Sequence, residues 1–191
     1  MAQSATWSKP PVVTILGREG DPRIALVHEA VDYWNGVFAE VGSPFRFGTI
    51  QLTQAEIPVD TLRALSDSVV GSGGRRVPMP GSVAAVPGNL VVALSDGDFI
   101  SFAVRWPDAE KALAAIKSHL VPPFRLPNVA RNVIAHEIGH AIGLRHNSDP
   151  ALLMCGRPAP CRPSAFESDT PRMFPLTAGE KQQLRSMYPP L

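Results

Sequence analysis

The chain has 191 residues, of which 45% are hydrophobic and 18% charged, and its formal net charge is +1. This length and composition are typical of one globular domain, and the balanced charge argues against nucleic acid or an anionic membrane surface as a partner. No apolar run approaches the ~18 residues that are needed to cross a bilayer. We therefore expect a soluble protein without an integral membrane segment. We also expect it to act as a monomer.

The first half of the chain alternates between predicted strands and helices. PPVVTILG (10–17) is rich in β-forming residues and ends at a glycine, which predicts a strand. Residues 21–41 carry apolar side chains at helical spacing after an Asp-Pro start, so we expect a long helix there. PFRFGTIQL (44–52) predicts a second strand with both of its phenylalanines on one face. A short helix is expected over 59–70.

The second half is richer in predicted helices. NLVVALSD (89–96) is a continuous apolar run bounded by turn residues, which predicts a buried strand, and FISFAVRW (99–106) predicts another. We predict a helix over PDAEKALAAIKSH (107–119), because proline stands in its first turn. A longer helix is expected over 128–143, and TAGE (177–180) forms a capping box before a final short helix. This order of elements indicates an α+β fold.

The segment HEIGHAIGLRH, which begins at His136, holds three of the five histidines of the chain. On a helix, His136 and His140 lie one turn apart on the same face, where two imidazole nitrogens can bind one metal ion. Gly143 can adopt the left-handed conformation that ends a helix, and this turn lets His146 return as a third ligand. Glu137 lies about 100° around the helix, within reach of a water molecule at the metal. The spacing predicts a zinc site, and histidines that merely pack a helix end are the alternative.

HEIGHAIGLRH matches HExxHxxGxxH, the signature of the metzincin clan of zinc endopeptidases. Within that clan the chain resembles the matrixins, because Met154 follows His146 at the distance of their methionine turn. AVDYWNGVF and LTAGEKQQLRSMYP also resemble the first and last helices of that family. Asn147 stands where matrixins usually carry serine or threonine.

The resemblance implies a twisted mixed sheet of about five strands with an antiparallel edge strand, two long helices and a short C-terminal helix. A single catalytic domain would span 1–191. Its upper subdomain (1–143) would contain the zinc-binding helix, and its lower subdomain (144–191) would contain the methionine turn and the last helix. FISFAVRW would be the edge strand that holds a substrate by strand addition. The residues expected to contact the substrate are Ser101, Phe102 and Ala103.

The same resemblance implies the chemistry. A water molecule activated on one zinc ion, held by the three histidines, would attack a peptide bond of a protein or peptide substrate. Glu137 would accept the proton of that water as general base and return it to the leaving amine. Met154 would pack beneath the histidines without binding the metal. Two alternatives stay open, a zinc-binding interaction module that does not cleave and a zinc hydrolase that acts on a non-peptide amide. A carboxylate such as Glu137 has no use in a site that only binds.

Cys155 and Cys161 lie in the proline-rich loop CGRPAPC. A close pair in such a loop predicts a disulfide, which would place the protein in an oxidising compartment, either secreted or periplasmic. Two free thiols are the alternative. The first residues, MAQSATWSKPP, lack the basic start and apolar stretch of a signal peptide.

The remaining candidate ligands are less informative. His28 is expected to be half-buried on the apolar stripe of the first long helix, and His119 is expected near the C-terminus of the helix predicted over 107–119. Both are predicted to be structural, since neither has partners at ligand spacing. Asp96 and Asp98 in SDGDF are the candidates for calcium, although such a pair more often forms only a turn.

Overall fold

The computed structural model describes residues 7, 9–71 and 76–190. Five strands in this part of the chain form one sheet in the order β2-β1-β3-β5-β4. The strands are β1 (Val13–Leu16), β2 (Ile50–Thr53), β3 (Leu90–Leu94), β4 (Phe102–Trp106) and β5 (Lys111–Ile116). All neighbouring strands run parallel except the edge strand β4, which is antiparallel to β5. The predicted α+β fold with a mixed sheet of about five strands is confirmed.

Five helices accompany the sheet. They are α1 (Arg23–Glu40), α2 (Val59–Gly71), α3 (Gly81–Ala84), α4 (Pro127–Ala141) and α5 (Ala178–Met187). Single turns of 3-10 helix lie at Pro107–Ala109 and Pro163–Phe166. The helices of the described ranges are each too short or too polar to cross a bilayer. The helices α1, α2 and α4 correspond to those predicted over 21–41, 59–70 and 128–143, with small shifts at their ends.

Helices cover both faces of the sheet, so its central strands are buried on both sides. Ile15 and Val92 point into the core that α1 and α4 share. Leu16 and Val91, which neighbour them along β1 and β3, point into the core beneath α2 and α3. This alternation explains why NLVVALSD is a continuous apolar run, since both of its faces contact other elements. The indole of Trp34 donates a hydrogen bond to the carbonyl oxygen of Ala135 (3.0 Å) and joins α1 to α4.

The prediction of a helix over 107–119 is wrong. Pro107–Ala109 form only a 3-10 turn, Glu110 adopts the left-handed conformation (φ 47°), and the chain then continues as β5. The sequence KALAAI contains good helix formers, but all six residues are buried between β3 and β4. Leu113 packs into one core and Ala114 into the other. Burial on both faces thus overrides the local helix propensity of this segment.

The strand predicted over 44–52 is shorter than expected, because only its end forms β2. The preceding residues follow an irregular path along α1, where the backbone nitrogen of Phe47 donates to the side-chain oxygen of Asn35 (2.8 Å). The rings of Phe45 and Phe47 still pack against each other, with centroids 5.7 Å apart. Their contribution to the core is therefore made from a loop.

Arg23 fixes the start of α1 against the ends of two strands. Its guanidinium donates to the Asp21 carboxylate (2.7 Å) and to the carbonyl oxygens of Ser95 (2.9 Å) and Lys117 (2.7 Å), which follow β3 and β5. The Arg23 and Asp21 side chains are only 1% and 7% exposed. Burial alone would raise the pKa of Asp21, but the hydrogen bonds and charge of Arg23 outweigh it and hold that pKa below its usual value.

Candidate metal centre

Helix α4 carries the first two histidines of the motif, His136 and His140. It begins at Pro127, a residue suited to the first turn because no helical partner is needed for its nitrogen. Two asparagines on α4 tie it to the segment that precedes α5. Asn128 donates to the carbonyl oxygen of Phe166 (2.9 Å), and Asn132 accepts from the backbone nitrogen of Phe174 (2.8 Å). The helix is thereby held in one orientation.

The end of α4 returns the chain toward its own histidines. Gly143 has a φ of 108°, and its backbone nitrogen donates to the carbonyl oxygen of His140 (3.0 Å). The nitrogen of Leu144 reaches back to the carbonyl oxygen of Gly139 (3.0 Å). This pair of bonds is a Schellman motif, which satisfies the last carbonyl groups and requires a residue at positive φ. The predicted turn at Gly143 is therefore present, and it brings His146 back over the helix.

The three histidines converge through the same atom of each ring. The Nε2 atom of His140 lies 3.0 Å from that of His136 and 2.9 Å from that of His146, and the third side of the triangle measures 3.2 Å. An ion with nitrogen bonds of ~2.0–2.1 Å in tetrahedral geometry would hold its ligands about 3.3 Å apart. The observed triangle is close to that size.

The opposite nitrogen of each ring fixes its tautomer. Each Nδ1 lies at hydrogen-bond distance from a backbone carbonyl oxygen, and since a carbonyl only accepts, each Nδ1 carries the ring proton. The acceptors are Leu153 for His136 (2.7 Å), Leu144 for His140 (2.9 Å) and Arg157 for His146 (2.8 Å). The three Nε2 atoms are therefore the ones left to face one another, and their lone pairs can bind one cation between them. The group can hold a metal ion.

The charge state of the two helical histidines suits metal binding. Burial, with a further contribution from the neighbouring imidazoles, lowers the pKa of His136 well below its usual value. Burial likewise lowers the pKa of His140 to about 4. Both rings are therefore neutral at pH 7, which is the form that binds metals.

Glu137 lies beside this cluster on α4. It is only 5% exposed, and its Oε2 atom is buried without a hydrogen-bond partner in the described part of the chain. Burial raises the pKa of this carboxyl to about 8. A buried carboxylate without a partner is costly, so its retention next to three converging nitrogens fits a group that interacts with a bound metal or its water.

The histidines and Glu137 open into a cleft of about 860 Å³. The start of β4 and the segment before it line this cleft, and they include the three residues predicted to contact substrate, Ser101, Phe102 and Ala103. The hydroxyl of Ser101 accepts a hydrogen bond from the backbone nitrogen of Lys117 (3.1 Å), so it is already used within the protein. Buried rings of Phe124 and Phe166 form an apolar part of the wall.

Helix α2 also lines the cleft, which sequence reasoning did not predict. Arg63, Asp67 and Val70 project from successive turns of its exposed face into the same space. The hydroxyl of Ser66, on the buried face of α2, donates to the carbonyl oxygen of Ile100 (2.8 Å) and fixes the helix beside the edge of the sheet. The only available signal was the helical spacing of α2, which does not show where the helix packs.

Met154 is fully buried against α4. A Cβ atom added at Gly139 would lie 2.6 Å from the sulfur of Met154 and 2.9 Å from the ring of Trp34. The methionine therefore packs directly on the helical turn that joins His136 to His140. The importance of Gly139 was missed at the sequence level, where it appeared only as a variable position of the motif.

A disulfide joins Cys155 to Cys161 and closes the loop that forms another wall of the cleft. Gly156, within this loop, lies so close to His146 that a Cβ atom there would overlap the imidazole ring. The carbonyl oxygen of Arg157, the next residue, accepts the ring proton of His146. The loop thus supports the third histidine as well as shaping the cleft.

The remaining candidates lie outside the cluster, and two expectations about them are wrong. His28 is exposed on α1 and not half-buried, because it falls beside the apolar stripe. His119 lies in a turn after β5 and not at a helix C-terminus, since the helix predicted there is a strand. The carboxylate of Asp96 pairs with Arg18 (2.9 Å), and that of Asp98 pairs with Lys117.

No protein-family model matches the chain, and no curated protein matches it either. Within the described ranges, His136, His140 and His146 form the group in which at least three potential metal ligands lie close together.

Proposed function

We propose that this protein is a zinc-dependent endopeptidase of the metzincin type, related to the matrixins. One observation carries the proposal. The Nε2 atoms of three histidines converge in an open cleft, and a buried carboxyl group with one oxygen that has no hydrogen-bond partner lines the same cleft. Three imidazoles suit zinc, which commonly takes three protein ligands in catalytic sites and leaves one position open. The HExxHxxGxxH spacing and the buried Met154 add support.

Each residue of the site has a definable task. His136, His140 and His146 would hold the ion, which when bound supplies a Lewis acid and lowers the pKa of a coordinated water. Glu137, one residue along from His136, would accept a proton from that water at its unpartnered Oε2 and later deliver it to the leaving amine. In the metal-free protein, burial raises the pKa of this carboxyl to about 8, which favours its neutral form at pH 7. The positive charge of a bound ion nearby would favour the carboxylate form that a general base requires.

The edge of the sheet suggests how a substrate would be bound. β4 is the last strand of the sheet, and the segment that leads into it lines the cleft together with the histidines. An extended peptide can add to such an edge through main-chain hydrogen bonds, which favours polypeptide substrates over small amides. The disulfide between Cys155 and Cys161 supports a secreted or periplasmic location.

The test pairs metal content with turnover on one preparation. Glu137→Ala should keep one zinc ion per chain, because the three nitrogens remain, and should lose at least ~10²–10⁴-fold in cleavage of denatured casein. Asp67→Ala removes another carboxylate of the same cleft, on the exposed face of α2, and should retain turnover. Wild-type turnover in Glu137→Ala would refute this mechanism.

The alternatives are separate outcomes of the same measurements. A wild-type protein that binds zinc but cleaves no member of a peptide library would be an interaction module or a hydrolase of non-peptide amides. A panel of acylated amines would then distinguish these two. A wild-type protein that binds no metal would refute the metal centre itself.

A further inference from the structure

A hydrogen bond connects the last helix to the residue that follows the third histidine. The side-chain nitrogen of Asn147 donates to Oε1 of Glu180 (2.8 Å), although 33 positions separate the two residues in sequence. The second oxygen, Oε2, accepts from the backbone nitrogen of Thr177 (2.7 Å), as in the predicted capping box. Glu180 is only 8% exposed, so both bonds are made by a buried carboxylate and are strengthened by its charge.

Asn147 is in turn bonded to the chain that supports His146. Its backbone nitrogen donates to the carbonyl oxygen of Met154 (2.8 Å), and its own carbonyl oxygen accepts from the nitrogen of Gly156 (3.2 Å). Gly156 packs on the ring of His146, and the adjacent Arg157 carbonyl holds the ring proton. A displacement of Asn147 would therefore move both the backbone and the hydrogen-bond partner of the third ligand.

His146 depends on such support more than the other two histidines do. His136 and His140 are held by α4, whereas His146 is exposed and lies on an irregular segment after the helix. Its ring would have many rotamers available without fixed neighbours, and ordering it only on metal binding would weaken the affinity.

We propose that Glu180 positions His146 for metal binding through its hydrogen bond to Asn147, so that α5 is part of the support of the metal centre. The proposal rests on metal binding by the three histidines and does not depend on peptide hydrolysis. It assigns Glu180 two tasks, since one oxygen caps α5 and the other holds the residue next to the third ligand. Glu180 and Asn147 are positioning residues that do not contact the metal.

Exchanging the amide group of Asn147 and the carboxylate of Glu180 between the two positions tests this bond. Asn147→Asp places a second carboxylate against Glu180 and removes the donor, and Glu180→Gln directs an amide nitrogen toward the amide nitrogen of Asn147. In the double variant, the new glutamine nitrogen donates to the new carboxylate, and the glutamine oxygen still accepts from Thr177. The bond is then restored with its direction reversed, while Asn147→Asp keeps the acceptor for the backbone nitrogen of Asp149.

A control separates positioning from general stability. Thr177→Ala removes the hydroxyl that accepts from the Glu180 backbone nitrogen (3.0 Å), but it leaves the carboxylate and its bond to Asn147 in place. Loss of such a cap destabilises a helix. Thr177→Ala should therefore lower the melting temperature without changing the metal affinity of the folded protein.

The measurement is the zinc dissociation constant of each full-length protein, by competition with a chromogenic chelator well below the melting temperature of the metal-free form. Each single exchange should weaken binding on the order of 10-fold, the size typical for losing support of a ligand. The double variant should recover most of that loss. Wild-type affinity in both single variants, or an equal loss in Thr177→Ala, would overturn the proposal.

Zinc binding by the wild-type protein distinguishes a wrong metal centre from a wrong positioning role. If the wild-type protein binds no zinc, the metal centre proposed above is wrong, and the variants are not needed to show it. If the wild type binds zinc and the double variant is weaker than both single variants, the metal centre stands but the Asn147–Glu180 bond does not position it.

Discussion

Gly139 and Met154 pack so closely that a Cβ atom on the glycine would lie 2.6 Å from the methionine sulfur. Gly139 is one of the two unspecified positions between His136 and His140, so the motif alone does not restrict it. The structure does restrict it, because Trp34 closes the other side of the same space at 2.9 Å. A small residue is required here for the helix of the first two histidines to lie on the methionine.

Gly139→Ala should therefore destabilise the protein. The added methyl group overfills a buried site and should cost about 1–3 kcal/mol in the free energy of unfolding. Gly36→Ala is the matched control, since Gly36 is an exposed helical glycine in α1 with nothing within 4 Å of an added Cβ atom. The control should gain up to about 1 kcal/mol. Denaturant unfolding of the metal-free proteins measures both, and equal effects would contradict this account.

Metal removal should lower thermal stability. A ligand that binds only the folded state stabilises it by about 4 kcal/mol when present at 1,000 times its dissociation constant. We expect one zinc ion per chain and a higher melting temperature with zinc than with a chelator. His146→Ala should lose most of the zinc-dependent rise in melting temperature, whereas His119→Ala, outside the cluster, should keep it. A zinc-dependent shift that survives in His146→Ala would exclude this histidine as a ligand.

The Cys155–Cys161 disulfide should leave no titratable thiol in the denatured, unreduced protein. A short closed loop of this kind contributes about 2 kcal/mol in the chain-entropy model. Replacing both cysteines with serine should lower the melting temperature accordingly. It should also weaken zinc binding, because the loop supports His146 through Gly156 and Arg157. Two thiols per denatured chain would show that the bridge is absent from the isolated protein.

The buried pair of Asp21 and Arg23 should make the protein sensitive to acid. The pKa of Asp21 is lower in the folded than in the unfolded chain, so its stabilisation is fully present above pH ~4 and is lost as the pH falls through the folded value. Asp21→Asn should lower the free energy of unfolding at pH 7 by about 3 kcal/mol or less, because the buried Arg23 loses its nearest counter-ion and keeps only the half-exposed Asp96 carboxylate, 3.9 Å away.

The difference in the free energy of unfolding between the wild type and Asp21→Asn should narrow as the pH falls below 4, since the wild-type carboxyl then also becomes neutral. Asp60→Asn is the control, because Asp60 is 93% exposed and pairs with Arg63 on the surface of α2. The effect of this substitution on the free energy of unfolding at pH 7 should stay within about 1 kcal/mol. A constant difference for Asp21→Asn from pH 7 to 3 would contradict the assigned pKa shift.

The parts of the fold that were predicted correctly are those with a local signal. β3 is recognisable as an apolar run, α1 by its helical spacing, and α5 by its capping box. β5 was mistaken for a helix because its alanines and lysine favour a helix locally, while its burial between two strands depends on distant parts of the chain. Local pattern and tertiary environment disagree there, and the environment determines the structure.

The candidate site shows the same division. The convergence of the three histidines was predictable because a helix fixes the spacing of His136 and His140, and a glycine marks the turn before His146. The supporting contacts were not predictable, because they come from elements far away in sequence. Glu180 appears in the sequence only as a capping residue, and its bond to Asn147 requires the packing of α5. Asn147 itself differed from the family pattern without any visible reason.

The backbone carbonyl groups that accept hydrogen bonds from the three imidazoles also determine which ring-proton signals NMR should detect. With Nδ1 protonated in every ring, the tautomer is already selected before any ion arrives, so binding requires no exchange of ring protons between the two nitrogens. The Nδ1 protons of the two least exposed rings, His136 and His140, should appear as slowly exchanging downfield NMR signals in both the metal-free and the metal-loaded protein. Loading should shift the Nε2 resonances and leave the Nδ1–H pattern unchanged, so the entropic cost of ordering these rings belongs to folding and not to metal capture.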